Sequence, residues 1–137
     1  MAIVGVGFNK IMVERKKTPK GKVGIRNNIA IKKVEKADLS FGAANQKGLR
    51  FSFEYTSIYT PDIGEILLTG DVIDIMDVKK ADEIEKEWNK SKKIPSDLMN
   101  SLLNAILNKC NIEALLLARE ISLPAPIPLP KVNLKQK

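Results

Sequence analysis

The sequence predicts an α+β domain in which an antiparallel β-sheet is followed by two C-terminal helices and a proline-rich extended tail. Three observations predict it. Leu49, Phe51, Phe53, Tyr55 and Tyr59 alternate with Arg50, Ser52, Glu54 and Thr56, the period-two pattern of a half-buried strand. Apolar residues then recur at spacings of three and four from Val78 to Trp88 and again from Met99 to Ile121, as on the buried stripe of a helix. From Pro124 to Pro130 every second residue is proline, which no helix accepts. The 137 residues fit one domain, and 44% apolar content supplies a core without disulfide or metal.

Taken in order, Ala2–Gly7 and Phe8–Val13 are rich in Val, Ile and Gly and read as two short strands or one bent strand, followed by a polar loop over 16–24. Residues 1–27 form a basic strand and loop segment, 28–121 the sheet and helices, and 122–137 the tail. Asn28–Val34 alternates imperfectly, but its β-branched content predicts a partly buried strand over 28–36. Leu39–Gly48 is a loop expected to pin Phe41 into the core. Thr60-Pro61-Asp62-Ile63-Gly64 is a turn, with Pro fixing φ and Gly free to take a positive φ, so strands 49–59 and 65–76 form a hairpin in a sheet of four to six strands. Asp77 offers an N-cap to a helix over 78–91, and Ser96 to a longer one over 96–120, with a break near residue 110 left open by Asn108 and Asn111. The expected core contains Phe51, Phe53, Ile66, Leu68, Ile84, Trp88, Leu102, Ile106 and Leu117. The prolines lie two apart, not three, so the tail is expected to strap its own sheet or a neighbouring subunit and not to serve as a PxxP ligand.

The charge of +7 is regional: residues 1–50 hold 12 Lys or Arg against three acids, and residues 51–137 hold 11 against 13. A basic half facing a near-neutral one is the footprint of a nucleic-acid surface, which would use Lys10, Arg15, Lys16, Lys17, Lys20, Lys22 and Arg26. Against this, 19 of the 23 basic residues are Lys, a point charge without the bidentate fork of Arg, and Phe8 is the only aromatic before Phe41. A solvated basic face accounts for the same residues.

Candidate chemistry is sparse. The absence of histidine removes imidazole metal sites, Ser-His and Cys-His pairs and the neutral-pH switch. Gly5-Val6-Gly7 lacks the third glycine and following helix of a dinucleotide loop. Asp71 and Asp74 point to opposite faces of a strand and cannot share a cation unless a bulge intervenes, and Cys110 on an apolar helix face reads as an inert thiol. Glu54 and Glu65 have no second catalytic group placed beside them, and Trp88 reads as a core anchor. No enzyme, cofactor or metal is therefore expected. The one cysteine, the absence of a secretory leader pattern and the absence of an apolar run of about 18 residues make the cytoplasm the expected location, with no membrane span.

The order of strands, shorter helix, long helix and Pro/Leu-rich tail resembles that of the bacterial export chaperone SecB family. Ile31-Lys32-Lys33-Val34 through Leu39-Ser40-Phe41-Gly42-Ala43-Ala44-Asn45 is similar to that family's first strand and Ser-Phe-Glu-Ala-Pro-Asn turn, with Gly42 at the acid and Ala44 at the proline. Leu117-Ala118-Arg119-Glu120 is similar to its Tyr-Ala-Arg-Glu run, and Leu129-Pro130-Lys131-Val132-Asn133 to its Leu-Ala-Pro-Val-Asn tail. The chain also has the general look of small archaeal proteins. The resemblance implies a chaperone-like protein that binds non-native chains in apolar grooves and assembles into dimers or tetramers. It implies no contact with the export motor, because that contact uses an acidic surface and this chain is basic.

Together these readings predict a non-enzymatic, homo-oligomeric binding protein whose clients are unfolded or extended peptide segments held at Phe53, Tyr55, Tyr59 and Leu67. The alternative is nucleic-acid or ribonucleoprotein binding through the basic N-terminal half.

Overall fold

The computed structural model describes residues 2–37 and 46–128. Four strands, β1 (Ala2–Arg15), β2 (Gly24–Ala37), β3 (Gln46–Thr60) and β4 (Gly64–Asp77), precede α1 (Val78–Ser91) and α2 (Ser96–Glu120). The strands form one antiparallel sheet in the order β1-β4-β3-β2. The fold is thus α+β, with both helix ranges as expected and a single long first strand. The placement of Phe41 and the SecB-like stretches at 39–45 and 129–133 lie outside the described residues.

β1 sits beside β4, so residues 16–23 must carry the chain from one sheet edge to the other. They pass the β3–β4 turn, where the Lys16 and Lys17 amides both donate to the Ile63 carbonyl at 2.7 and 3.2 Å. The left-handed backbone in that turn falls on Asp62 (φ 49°), not on Gly64. Gly64 is required for a different reason: a Cβ there would run into the Glu14 carbonyl of β1.

The apolar spacing in β1 looks irregular in sequence: Ile3, Val6, Phe8, Ile11, Val13. Register shifts between Ile3 and Gly5 and between Phe8 and Lys10 resolve it. Each extra residue, Val4 and Asn9, is a bulge that returns the next apolar side chain to the helix-facing side, opposite Asp74, Val72, Gly70, Leu68 and Ile66 in turn. A third shift, between Ile31 and Lys33, does the same in β2. It explains the imperfect alternation there. β2 begins at Gly24 because Ile25 and Asn27 already pair with Tyr59 and Ser57.

Both helices cover one face of the sheet, α1 over β2 and β3 and α2 over β4 and β1. The core between the layers holds Leu49, Phe51, Phe53, Tyr55, Tyr59, Ile66, Leu68, Val72, Ile84, Trp88, Leu102 and Ile106, with Leu117 packed at its margin. Asp77 takes the N-cap position of α1 with extended backbone and no side-chain cap bond. Pro95, not Ser96, occupies that position for α2, whose first turn closes through Met99 N–H to the Pro95 carbonyl at 2.9 Å. α2 runs unbroken through Asn108 and Asn111, because Leu107, Cys110 and Ala114 stay packed on the core and override the weak local propensity.

Gly70 lies between Phe8 of β1 and Phe53 of β3 in register, and the two rings meet edge to face above it, centroids 6.2 Å apart. A Cβ at Gly70 would strike the Gly7 carbonyl and the Phe53 ring. Gly70→Ala is therefore expected to cost about 1–3 kcal/mol by overpacking, read as a lower urea midpoint; an unchanged midpoint would show that the two strands can separate there freely.

Candidate binding surfaces

The helix-facing stripe of β3 carries Phe53, Tyr55 and Tyr59, and all three rings are buried beneath the helices. Leu67 points to the opposite, open face of the sheet, in register with Thr56 and Met12. The structure therefore does not bring the four expected peptide-binding residues together, and three of them are sealed in the core. The reason is that the period-two stripe that looked like an aromatic groove is the face the helices cover.

Two of these rings belong to a polar network at the turn end of the sheet. Ser57 Oγ lies 2.7 Å from Asn27 Oδ1 and 3.1 Å from the Tyr55 hydroxyl. A single serine proton serves Asn27, so the Tyr55 hydroxyl donates to Ser57. The Asn27 amide donates to the Pro126 carbonyl at 2.8 Å, and the Tyr59 hydroxyl to the Pro124 carbonyl at 2.7 Å. Burial pushes the Tyr59 hydroxyl up to about 12, with a smaller contribution from Tyr55, and burial also raises Tyr55. The tail thus straps its own sheet. It leaves α2 through a left-handed Ser122 (φ 58°), with Leu123 N–H returning to the Ala118 carbonyl at 2.8 Å, and it buries Leu123 and Pro126.

A second surface was not legible as a site in the sequence. β1 is a sheet edge and exposes Val4 (53%) and Ile11 (47%), and the outer face of α2 exposes Ile112 (63%) and Leu116 (50%). Phe8, Lys109, Ile112, Glu113 and Leu116 line an open groove between strand and helix. Leu116 also borders a second groove with Leu115, Ala118, Arg119, Leu123 and Ala125, so the apolar surface continues along α2 to the strap. Lys109 Nζ donates to the Val6 carbonyl at 2.8 Å and lies 5.4 Å from the Phe8 ring centroid. The only sequence signal was that Ile112 and Leu116, four apart, fall off the stripe Leu102, Ile106, Cys110, Ala114.

Of the basic residues, Arg15, Lys16, Lys17, Lys20 and Lys22 gather at the turn end of the sheet and are exposed. Lys16 is tied to Asp62 at 3.3 Å and to Glu14 at 4.0 Å, and the bond to Asp62 raises its pKa. Arg26 sits nearby on the open face opposite Ile58, whereas Lys10 stands opposite Thr69, farther up the sheet. The rest of the open face is a mesh of opposite charges. Arg50 lies 3.7 Å from Glu35 and 4.0 Å from Asp71, Lys32 lies 3.7 Å from Glu54, and Ser52 donates to Asp71 at 2.9 Å.

The remaining chemical candidates are dispersed. Asp71 is on the open face and Asp74 is buried on the helix side. Glu54 pairs with Thr69, four strand residues from Glu65, a separation of roughly 13 Å along the strand. Cys110 is buried, which pushes its thiol up to about 12. Trp88 packs in the core with Lys92 Nζ 5.4 Å from its ring centroid. No helix among the described residues is long and apolar enough to cross a membrane. No family model, curated protein or solved structure matches this chain.

Proposed function

We propose that this protein is a non-enzymatic, chaperone-like binding protein for non-native or extended apolar segments, working as a homo-oligomer on a SecB-like fold. One observation carries the reading: the outer edge of β1, where Lys109 holds the Val6 carbonyl, borders an open groove lined by Phe8 and the exposed Ile112 and Leu116 of α2. An unpaired edge offers main-chain hydrogen bonds to any extended chain, and apolar side chains beside it add burial with little sequence preference. The site thus moves from the core aromatics to the β1 edge and the outer face of α2. Pairing with a second copy uses the same edge, so self-association and client capture compete for it. The test dilutes an aggregation-prone unfolded protein into buffer with this chain in several-fold excess and follows light scattering. Wild type should suppress aggregation, and Ile112→Lys with Leu116→Lys, still folded by circular dichroism, should lose most of the effect. No suppression by wild type would sink the reading.

A second reading rests on the five basic residues gathered by the 16–23 crossing and the adjacent end of β1. If they bind phosphates, affinity for a single-stranded or duplex oligonucleotide falls about tenfold or more between 50 and 200 mM salt. A flat gel-shift series at low salt would end it.

A further inference from the structure

Beyond the β1 surface, we propose that the cleft beneath the strap is a peptide site in its own right: it accepts an extended, proline-tolerant segment of another protein, and residues 123–128 are its resident occupant. The recognition is by side chains. Tyr59 and Asn27 donate to the carbonyls of Pro124 and Pro126, two residues apart, which is the repeat of an extended chain. Such a pair of donors asks nothing of the ligand's N–H groups, so prolines fit where a sheet edge would reject them. Both donors stand on paired β-strands. Asn27 is held further by Ser57, and Ser57 by Tyr55, so the site is organised from below and does not depend on the strap for its shape.

The occupant's own backbone is lightly held. Among the described residues, no backbone–backbone hydrogen bond anchors the strap beyond Leu123 N–H to Ala118. Its attachment to α2 turns on Ser122 in the left-handed region, a conformation an L residue leaves readily. Release uncovers the buried Tyr59 hydroxyl and frees the Asn27 amide, and a segment with the same carbonyl spacing engages both again. The tethered strap competes at an effective concentration on the order of millimolar, so a ligand in trans meets a site already filled in cis.

The probe is a fluorescein-labelled peptide with the sequence of residues 121–128, titrated against the full chain by anisotropy. Wild type should bind weakly. Leu123→Asp, which removes the buried anchor, and separately Pro126→Glu, which leaves the end of α2 intact, should each bind at least tenfold more tightly. Adding Asn27→Ala and Tyr59→Phe to either should erase the gain, whereas adding Ile112→Lys should not. Absence of a gain in both release variants would overturn the proposal. So would a gain that survives loss of Asn27 and Tyr59, a gain abolished by Ile112→Lys, or a release variant that doubles in mass by exchanging straps instead of taking up peptide. In the wild-type chain itself, millimolar peptide must shift the side-chain amide resonances of Asn27, and unmoved resonances would also overturn it. Failure of aggregation suppression with success here would separate this site from the β1 surface.

Discussion

Ile106→Ala is expected to lower the free energy of unfolding by about 2–5 kcal/mol, the range for removing most of a buried aliphatic side chain. Ile106 is fully buried on α2, on the stripe of Leu102, Cys110 and Ala114 that faces the sheet. Truncation removes its transfer free energy and leaves a cavity, because the rigid sheet opposite can collapse only partly. Ile112→Ala is the matched control. That side chain is 63% exposed on the same helix, and its loss should stay near 0.5 kcal/mol. Urea unfolding followed by far-UV circular dichroism measures both. Equal losses at the two positions would mean that α2 does not present the face assigned here.

Raising the pH from 9 to 12 is expected to remove up to about 4 kcal/mol of stability through Cys110 alone, since one pKa unit is worth about 1.4 kcal/mol. The folded thiol sits at about 12 against an ordinary 9.0, because burial disfavours the thiolate. A group whose neutral form is favoured by folding contributes fully below its unfolded pKa. That contribution fades as the pH climbs from the unfolded toward the folded value. Tyr59, raised by burial from 10.0 to about 12, adds a second loss of the same sign that begins one pH unit later. Between pH 9 and 10 the slope therefore belongs chiefly to Cys110. Cys110→Ala should be somewhat less stable at pH 7 yet show a flatter profile over that interval, and Tyr59→Phe should flatten the profile above pH 10. Parallel profiles for wild type and Cys110→Ala would show that the thiol is not sealed in the core.

What the sequence determined by itself is what depends on near neighbours along the chain. Helices 78–91 and 96–120 follow from the spacing of Val78, Ala81, Ile84 and Trp88 and of Leu102, Ile106 and Cys110. The hairpin follows from alternation on either side of Thr60–Gly64. Sheet order was beyond its reach, because nothing local tells β1 to cross the turn end and lie beside β4. The bulges at Val4, Asn9 and Lys32 were beyond it too, since an extra residue is defined only against a partner strand. Alternation showed that Phe53, Tyr55 and Tyr59 share a side. Only packing decided that this side is core, because one strand pattern serves equally for a groove and for a helix-covered layer. The strap's fit over Tyr59 and Asn27 was likewise decided in three dimensions. It joins residues 65 and 99 positions apart, a pairing that composition and periodicity do not encode.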